Sequence, residues 1–149
     1  MTGPDIVRRR RAAGPTQRQL AAAAGLPQPS LASYESGKRR PSEASARRLE
    51  SALSVPTLER LRAVRGELIA AATRRRLGQI RVFGSVARGV AGPGSDVDLL
   101  VHPAPDASLF DLAGFGAEAE AALGLPVDVV SDRASGPAVE RIRQEAVPL

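Results

Sequence analysis

Two aspartates at alternating positions, with a glycine–serine pair upstream, are the feature that most constrains this chain. Asp96 and Asp98 open the apolar run DVDLLV, and ten residues separate Asp96 from Ser85. Because side chains alternate between the two faces of a strand, both carboxylates point to one side and their apolar neighbours to the other. Like charges at this spacing repel unless a cation lies between them. Mg²⁺ takes oxygen ligands and is commonly held by one or two carboxylates together with phosphates, so the pair predicts a magnesium site.

The glycine–serine pair predicts a phosphate-binding turn. It follows QIRVF at residues 79–83, which alternates like a strand, and it precedes VARG, which can begin a helix. Gly84 lets backbone amides approach a phosphate, Ser85 adds a hydroxyl, and a helix start carries partial positive charge. Arg88 is a candidate phosphate ligand, although an arginine on a helix face is as often only solvated. The turn and the aspartates together favour chemistry on a nucleoside triphosphate.

A third carboxylate follows in LPVDVVSD at residues 125–132, which predicts another strand. Asp128 interrupts a β-branched apolar run, where a charge is costly without a partner. Asp128 is therefore the candidate third acid of the metal site, and the alternative is an edge-strand aspartate that faces water. Asp132 is interpreted as a helix or turn cap. His102 is interpreted as a loop residue without metal-ligand spacing.

These motifs resemble the minimal nucleotidyltransferases of the DNA polymerase β superfamily, which carry a Gly-Ser, ten-residue spacer, Asp-x-Asp signature and a later strand aspartate. The similarity extends from about residue 57 to the end and includes VERIRQEAVPL, which is similar to the family's C-terminal helix. The resemblance implies transfer of a nucleoside monophosphate from ATP or another NTP, with release of pyrophosphate. It implies that Gly84 and Ser85 hold the triphosphate. It also implies that Asp96, Asp98 and Asp128 form the Mg²⁺ site, with Asp128 helping to deprotonate an acceptor hydroxyl.

The first third of the chain has the pattern of a helix-turn-helix. TQRQLAAAAGLPQPSLASYESGKRRPSEASARRLESAL contains two helical segments separated by a break at Gly25, then a basic cluster and a further helix capped by Ser42. Residues 5–13 predict a helix before them. The side chains expected to form the core are Leu20, Ala21, Ala24, Leu31, Tyr34, Leu49 and Leu53.

The segment from Asp5 to Leu53 resembles XRE-type (Cro/C1-like) DNA-binding domains. The resemblance implies that the helix beginning near Gln28 enters the major groove of operator DNA, and that a homodimer reads two half-sites. Pro29 is expected to shorten the start of this helix and to shift its base contacts. The alternative is a small helical module that binds protein. The implied base-reading residues are Gln28, Ser30 and Ser33, and the implied phosphate contacts are Gln17, Lys38, Arg39 and Arg40.

The net charge is divided unequally along the chain. Residues 1–56 contain ten Lys or Arg and four Asp or Glu, a net +6, whereas residues 57–149 contain eleven and twelve, a net −1. A basic excess confined to one part is expected when that part meets a polyanion such as DNA. The run Arg8–Arg11 is equally compatible with a solvated helix face.

The predicted fold class is two domains: an all-α helix-turn-helix bundle at residues 1–55, and an α/β (α+β) nucleotidyltransferase fold with a small mixed sheet at residues 56–149. TLERLRAVRGELIAAATRRRLG predicts one long amphipathic helix after the boundary. FDLAGFGAEAEAALG predicts another, whose continuity Gly114 and Gly116 weaken. No apolar stretch reaches the roughly 18 residues that a bilayer requires, no signal peptide is recognised and no cysteine is present, so a cytoplasmic protein is expected.

The two resemblances together imply the antitoxin of a bacterial toxin–antitoxin pair. In such pairs the transferase moves AMP from ATP to a hydroxyl of the toxin, often a HEPN-type ribonuclease, and the DNA-binding module represses the shared promoter. One alternative is a transcription regulator whose transferase fold is inactive and only binds a nucleotide or partner, against which the three acids argue. A second alternative is a transferase that modifies a small molecule such as an aminoglycoside.

Overall fold

The computed structural model describes all 149 residues of the chain. Its contacts divide it into two compact units, Met1–Val55 and Pro56–Leu149. Each unit has its own cluster of buried apolar side chains. None of the helices combines the length and the apolar character that crossing a bilayer requires.

The first unit consists of four helices whose starts are set by short polar side chains. Thr2 and Thr16 each form a reciprocal capping box, and the Ser42 hydroxyl accepts a hydrogen bond from the amide of Ser45, as predicted. This arrangement confirms the predicted helix-turn-helix bundle. The helices are α1 (Gly3–Ala13), α2 (Gln17–Ala23), α3 (Gln28–Glu35) and α4 (Glu43–Leu53).

Apolar side chains from all four helices meet in one core, and the predicted core residues are confirmed. Gly25 makes the turn between α2 and α3 with φ +63°, a conformation that favours glycine. The buried cluster comprises Ile6, Ala13, Leu20, Ala21, Ala24, Leu31, Tyr34, Leu49 and Leu53.

The expectation that Pro29 would shorten α3 is wrong. The helix begins at Gln28, with Pro27 in extended conformation as the residue before it. Pro29 lies in the first turn, where the backbone amide has no intrahelical partner in any helix, so the missing N–H costs nothing. Gln28 therefore stands at the first helical position.

The second unit begins with two helices where the sequence predicted one. They are α5 (Leu58–Ala63) and α6 (Arg65–Arg74), separated at Val64, whose φ of −111° and ψ of 17° are not helical. Leu61 and Leu68 are both fully buried on either side of the break. The predicted single long helix is therefore wrong, although both of its halves form.

A mixed four-stranded sheet forms the centre of the second unit, as predicted. Its order is β3-β2-β1-β4, with β1 antiparallel to β2 and β4, and β2 parallel to β3. The strands are β1 (Leu77–Phe83), β2 (Val97–Pro103), β3 (Val127–Ser131) and β4 (Val147–Pro148). The remaining helices of the unit are α7 (Gly84–Arg88), α8 (Leu109–Leu123) and α9 (Pro137–Glu145).

Helix α8 is continuous through both of its glycines. A Cβ built on Gly114 would lie 1.8 Å from Arg75 Nη1, so the guanidinium packs where a side chain would otherwise stand. Arg75 Nε also donates to Glu118 Oε2 at 3.4 Å. Gly114 is thus explained by close packing, and it does not interrupt the helix.

One face of the sheet is apolar and the other carries the aspartates. Alternation along β2 puts Asp98 and His102 on the side opposite to its buried valines. In the parallel pairing of β2 with β3, Asp98 stands directly beside Asp128. The core on the other side includes Val82, Val97, Leu99, Val101, Phe115 and Ala119.

Candidate active site and nucleic-acid interface

The glycine–serine turn lies directly against Asp98. Phe83, the last residue of β1, pairs with Asp98 in the antiparallel ladder, so Gly84 follows at the end of the strand beside this carboxylate. Gly84 has φ +71°, and a Cβ built on it would lie 2.3 Å from Asp98 Oδ2. Only glycine fits here, for both its backbone conformation and the space available. The structure thus brings the two halves of the sequence motif together.

The sheet brings Asp98 next to Asp128, whereas Asp96 lies just before β2. Neighbouring strands are about 4.8 Å apart, and partners in register point to the same face. Asp96 and Asp128 are exposed and Asp98 is half-buried. No group of three or more Asp, Glu, His or Cys side chains is arranged around a common point to hold a metal ion. Asp98 thus stands beside Asp128 in the sheet, and the charge of Asp96 also acts on Asp98.

The electrostatics of Asp98 suit a divalent cation. Burial raises the pKa of Asp98, and the negative charges of Asp128 and Asp96 raise it further, while Arg88 opposes them. A carboxylate whose charge is disfavoured in this way gains from a nearby cation. The donors are all carboxylate oxygens, which is the chemistry that Mg²⁺ prefers. The residues present therefore fit a magnesium ion held by one or two carboxylates with the remaining positions left for water and phosphate.

Two of the predicted phosphate ligands, Gly84 and Arg88, donate hydrogen bonds to Glu145, a residue that the sequence did not point to. Ser85 is half-buried in the first turn of α7, and Arg88 is an exposed residue of its last turn. The Gly84 amide donates to Glu145 Oε1 at 3.0 Å, and Arg88 Nη1 donates to the same oxygen. Glu145 is the last residue of α9, where the helix dipole disfavours a negative charge. No local pattern in the sequence signals this contact, because Glu145 lies 61 residues from Gly84.

A second polar cluster lies on the aspartate face of the sheet, and it corrects two interpretations. His102 belongs to β2 and not to a loop, and its Nδ1 lies 2.9 Å from Asp132 Oδ1. Asp132 is not a cap, because its carboxylate accepts from Arg81 Nη2 at 2.6 Å. Burial raises the pKa of Asp132, but the hydrogen bonds from Arg81 and His102 outweigh that effect and lower it. The cluster links β1, β2 and the residue that follows β3.

Gly84→Ala is expected to impair the site through both strain and collision. The left-handed conformation costs an L-residue about 1–2 kcal/mol, and the added methyl group would also displace the Asp98 carboxylate. Gly89→Ala is the matched control, because Gly89 has the same φ of +71° with nothing within 4 Å of its Cβ position. Thermal unfolding should show a loss for Gly89→Ala from strain alone and a larger loss for Gly84→Ala. ATP binding should fall only for Gly84→Ala, and equal ATP affinities would contradict the contact with Asp98.

The predicted DNA-contacting residues lie on and after α3, with one exception. Gln28 is exposed at the start of α3, and Ser30 and Ser33 are half-buried along it. The Gln17 side chain instead donates from Nε2 to Glu35 Oε2 at 2.7 Å, inside the unit. The basic residues after α3, Lys38, Arg39 and Arg40, are exposed.

Comparison with known families agrees with both units. A family model described as a nucleotidyltransferase domain matches residues 67–148, and one described as a helix-turn-helix matches residues 6–60. The chain therefore belongs to the nucleotidyltransferase domain family, with an XRE-type helix-turn-helix unit preceding the transferase unit. The family and the fold support nucleotidyl transfer as its general chemistry.

Among solved structures, one described as a minimal nucleotidyltransferase is 42% identical to this chain. It covers 63% of this chain and 97% of its own length, with a TM-score of 0.57. A second, described as a toxin–antitoxin with AMP-PNP, is 21% identical and covers 56% of this chain and 69% of its own length, with a TM-score of 0.49. A likeness at that second level carries no functional information. A search of curated proteins returned no match.

Proposed function

We propose that the chain is the antitoxin of a bacterial toxin–antitoxin pair, and that it transfers AMP from ATP to a hydroxyl of its partner toxin. Its helix-turn-helix unit binds operator DNA as a homodimer and represses the operon that encodes both proteins. The transferase assignment rests above all on one contact: the Gly84 turn lies against Asp98, so a phosphate-binding turn and a carboxylate pair share one site.

Each residue of the site has a distinct role in this reaction. The backbone of Gly84 and the Ser85 hydroxyl bind the triphosphate, and the carboxylates of Asp96 and Asp98 hold Mg²⁺, which neutralises charge on the phosphates when bound. Asp128, beside Asp98 on the neighbouring strand, accepts the proton of the acceptor hydroxyl. The acceptor oxygen then forms a bond to the α-phosphorus, and the bond from that phosphorus to the pyrophosphate oxygen breaks. Positioning and charge neutralisation are what such transfers mainly require.

The openness of the aspartate face favours a macromolecular acceptor. Asp96 and Asp128 are both exposed at the sheet surface. Two cavities in this unit, of about 320 and 440 Å³, are lined by residues of α6, β1, α8 and the C-terminal pair Pro148 and Leu149, and by none of the three aspartates. Small ligands are usually enclosed in concave pockets, whereas a protein surface can bring its own hydroxyl to an open face. This argument favours a toxin over an aminoglycoside as the acceptor.

Transfer is tested with purified protein, ATP labelled at the α-phosphate, Mg²⁺ and the product of the neighbouring gene. Label on that neighbour supports the antitoxin assignment. Label on an aminoglycoside alone would favour a small-molecule transferase. Absence of label on any acceptor, with operator binding intact, would favour a regulator whose transferase fold is inactive.

Operator binding is expected to depend on two kinds of residue. Arg39→Ala should weaken binding to all DNA sequences and lower the slope of log K against log salt by about 1, because it removes one phosphate contact. Gln28→Ala should cost about 1–3 kcal/mol at the operator alone, because it removes a base contact. Arg47→Ala is the control, since this exposed arginine pairs with Glu43 on α4. Fluorescence anisotropy at several salt concentrations measures both effects, and equal losses for Arg39→Ala and Arg47→Ala would exclude the proposed surface.

A further inference from the structure

The Glu145 carboxylate stands where the proposed function requires a phosphate. One oxygen of Glu145 accepts from the Gly84 amide at 3.0 Å and from the Arg88 guanidinium. Both donors belong to the turn and helix assigned to the triphosphate. A carboxylate and a phosphate oxygen compete for the same donors, because each is an anionic acceptor of charge-assisted hydrogen bonds. The single N–H of Gly84 therefore cannot serve Glu145 and a triphosphate at the same time, and the Arg88 Nη1 donor that faces Glu145 is likewise engaged.

The helix that carries Glu145 is lightly attached to the rest of its unit. None of the nine residues of α9 is buried. Near the C-terminal end of α9, Arg143 donates to the backbone oxygens of Asp132 and Ala134. Both acceptors lie in the segment that precedes the helix, so these bonds do not attach α9 to the candidate site. The hydrogen bonds from α9 to the Gly84 turn and to α7 are those of Glu145. Few buried apolar contacts are the mark of a segment that opens at low free-energy cost.

The charges around Glu145 balance attraction against repulsion. Arg88 and the Gly84 amide attract the carboxylate of Glu145, while the Asp98 carboxylate, which lies against Gly84, repels it. The Arg88 and Glu145 side chains are 55% and 31% exposed, so water screens their attraction. The contact between Glu145 and Arg88 can therefore form in the free protein and still be displaced by a triphosphate.

Helix α9 is bounded at both ends by residues with non-helical backbone. Gly136 precedes the helix with φ +119°, and Ala146 follows it in extended conformation. Immediately afterwards Val147 pairs with Val82 of β1. The chain is therefore fixed to the sheet at Val147, two residues beyond Glu145, so opening of α9 requires backbone rotation at Gly136 and Ala146.

We propose that α9 is an autoinhibitory latch, in which Glu145 occupies the triphosphate position on Gly84 and Arg88 and must leave before ATP binds. This inference rests on the proposed function, because it assigns a regulation to the same site. Binding of ATP and closure of α9 are mutually exclusive. The apparent affinity for ATP is then reduced by the fraction of molecules that are latched.

The latch is tested by calorimetric titration of the full chain with ATP and Mg²⁺, and separately with inorganic tripolyphosphate. Glu145→Ala should bind both about tenfold more tightly than the wild type, and Glu145→Gln about threefold, because an amide oxygen still accepts from Gly84 but carries no charge. Glu140→Gln is the charge-matched control on the same helix, where the exposed Glu140 pairs with Arg143. It should leave the affinity unchanged.

Hydrogen exchange of α9 amides in the wild type gives a second readout that needs no variant. ATP should raise exchange there, and in Glu145→Ala exchange should be high before ATP is added. If the wild type binds ATP but Glu145→Ala binds it equally or more weakly, Glu145 only orients Arg88 and the latch is overturned, while the proposed function stands. If no form binds ATP or tripolyphosphate, the proposed function fails and the latch fails with it.

Discussion

Asp96→Asn combined with Asp98→Asn is expected to abolish nucleotidyl transfer and to leave operator binding unchanged. The double substitution removes the charges of two proposed magnesium ligands, Asp98 in β2 and Asp96 just before it, and preserves side-chain volume. Loss of preorganised charge stabilisation of this kind lowers rates by about a thousandfold or more. Incorporation of labelled AMP into the acceptor measures transfer, and anisotropy with operator DNA measures binding.

Two controls separate loss of chemistry from loss of structure. Asp106→Asn removes an exposed charge of the same unit, paired with Arg76, and should keep full transfer activity. The melting temperature of the double variant, taken with chelator present, should be no lower than that of the wild type. The reason is that burial and neighbouring charges raise the pKa of Asp98, so its ionised form destabilises the fold and its neutralisation does not. Loss of transfer and operator binding together would indicate misfolding or coupling between the units.

The fold was largely predictable because the spacing of apolar residues and the capping and turn residues indicate the same elements along most of the chain. Alternating residues predicted β1 and β2, and short polar caps such as Ser42 predicted helix starts. The break at Val64 could not be found in this way. Leu61 and Leu68 are seven residues apart, and that spacing suits one continuous helix as well as two. No glycine or proline stands at Val64 itself, and the nearby Gly66 lies inside α6.

Those parts of the candidate site that lie within one strand or turn were predictable from the sequence. The alternation of Asp96 and Asp98, and the glycine–serine turn, can be read from local sequence. The place of His102 could not, because the following proline suggested a loop, whereas β2 continues to Pro103, which pairs with Leu77. Glu145 contacts Gly84 across 61 residues, and no local pattern reports a contact over that distance.

The ion pair between Arg10 and Glu35 dominates the polar interior of the helix-turn-helix unit. Arg10 Nε donates to Glu35 Oε1 at 2.6 Å and Nη2 donates to Oε2 at 3.1 Å, with the side chains only 15% and 6% exposed. Gln17 donates to the same carboxylate at 2.7 Å, and Arg10 also donates to the carbonyl of Pro15 at 3.1 Å. Removing one partner leaves the other charge poorly solvated and unpaired. The free-energy cost of that unpaired charge is larger than the net stabilisation that the intact pair provides.

Glu35→Ala is therefore expected to destabilise this unit by about 3 kcal/mol, most of the stability of so small a domain. Tyr34, the only tyrosine in a chain without tryptophan, is buried in the same core, so tyrosine fluorescence during urea unfolding reports on this unit alone. Arg47→Ala, which breaks an exposed pair with Glu43, should cost no more than about 0.5 kcal/mol. Arg10→Met with Glu35→Leu should recover much of the loss, since an apolar pair of similar volume leaves no charge unpaired.

The pH dependence of unfolding checks the same ion pair in the wild type. Burial raises the pKa of Glu35, but the hydrogen bonds from Arg10 and Gln17 outweigh it, so the pKa in the folded chain lies below its unfolded value. Stability from this group is then fully present above the unfolded pKa and is lost as pH falls through the folded pKa. Glu35→Ala should lack that acidic decline. If the wild type and Glu35→Ala lose stability in parallel on acidification, the carboxylate is not held as an ionised partner of Arg10.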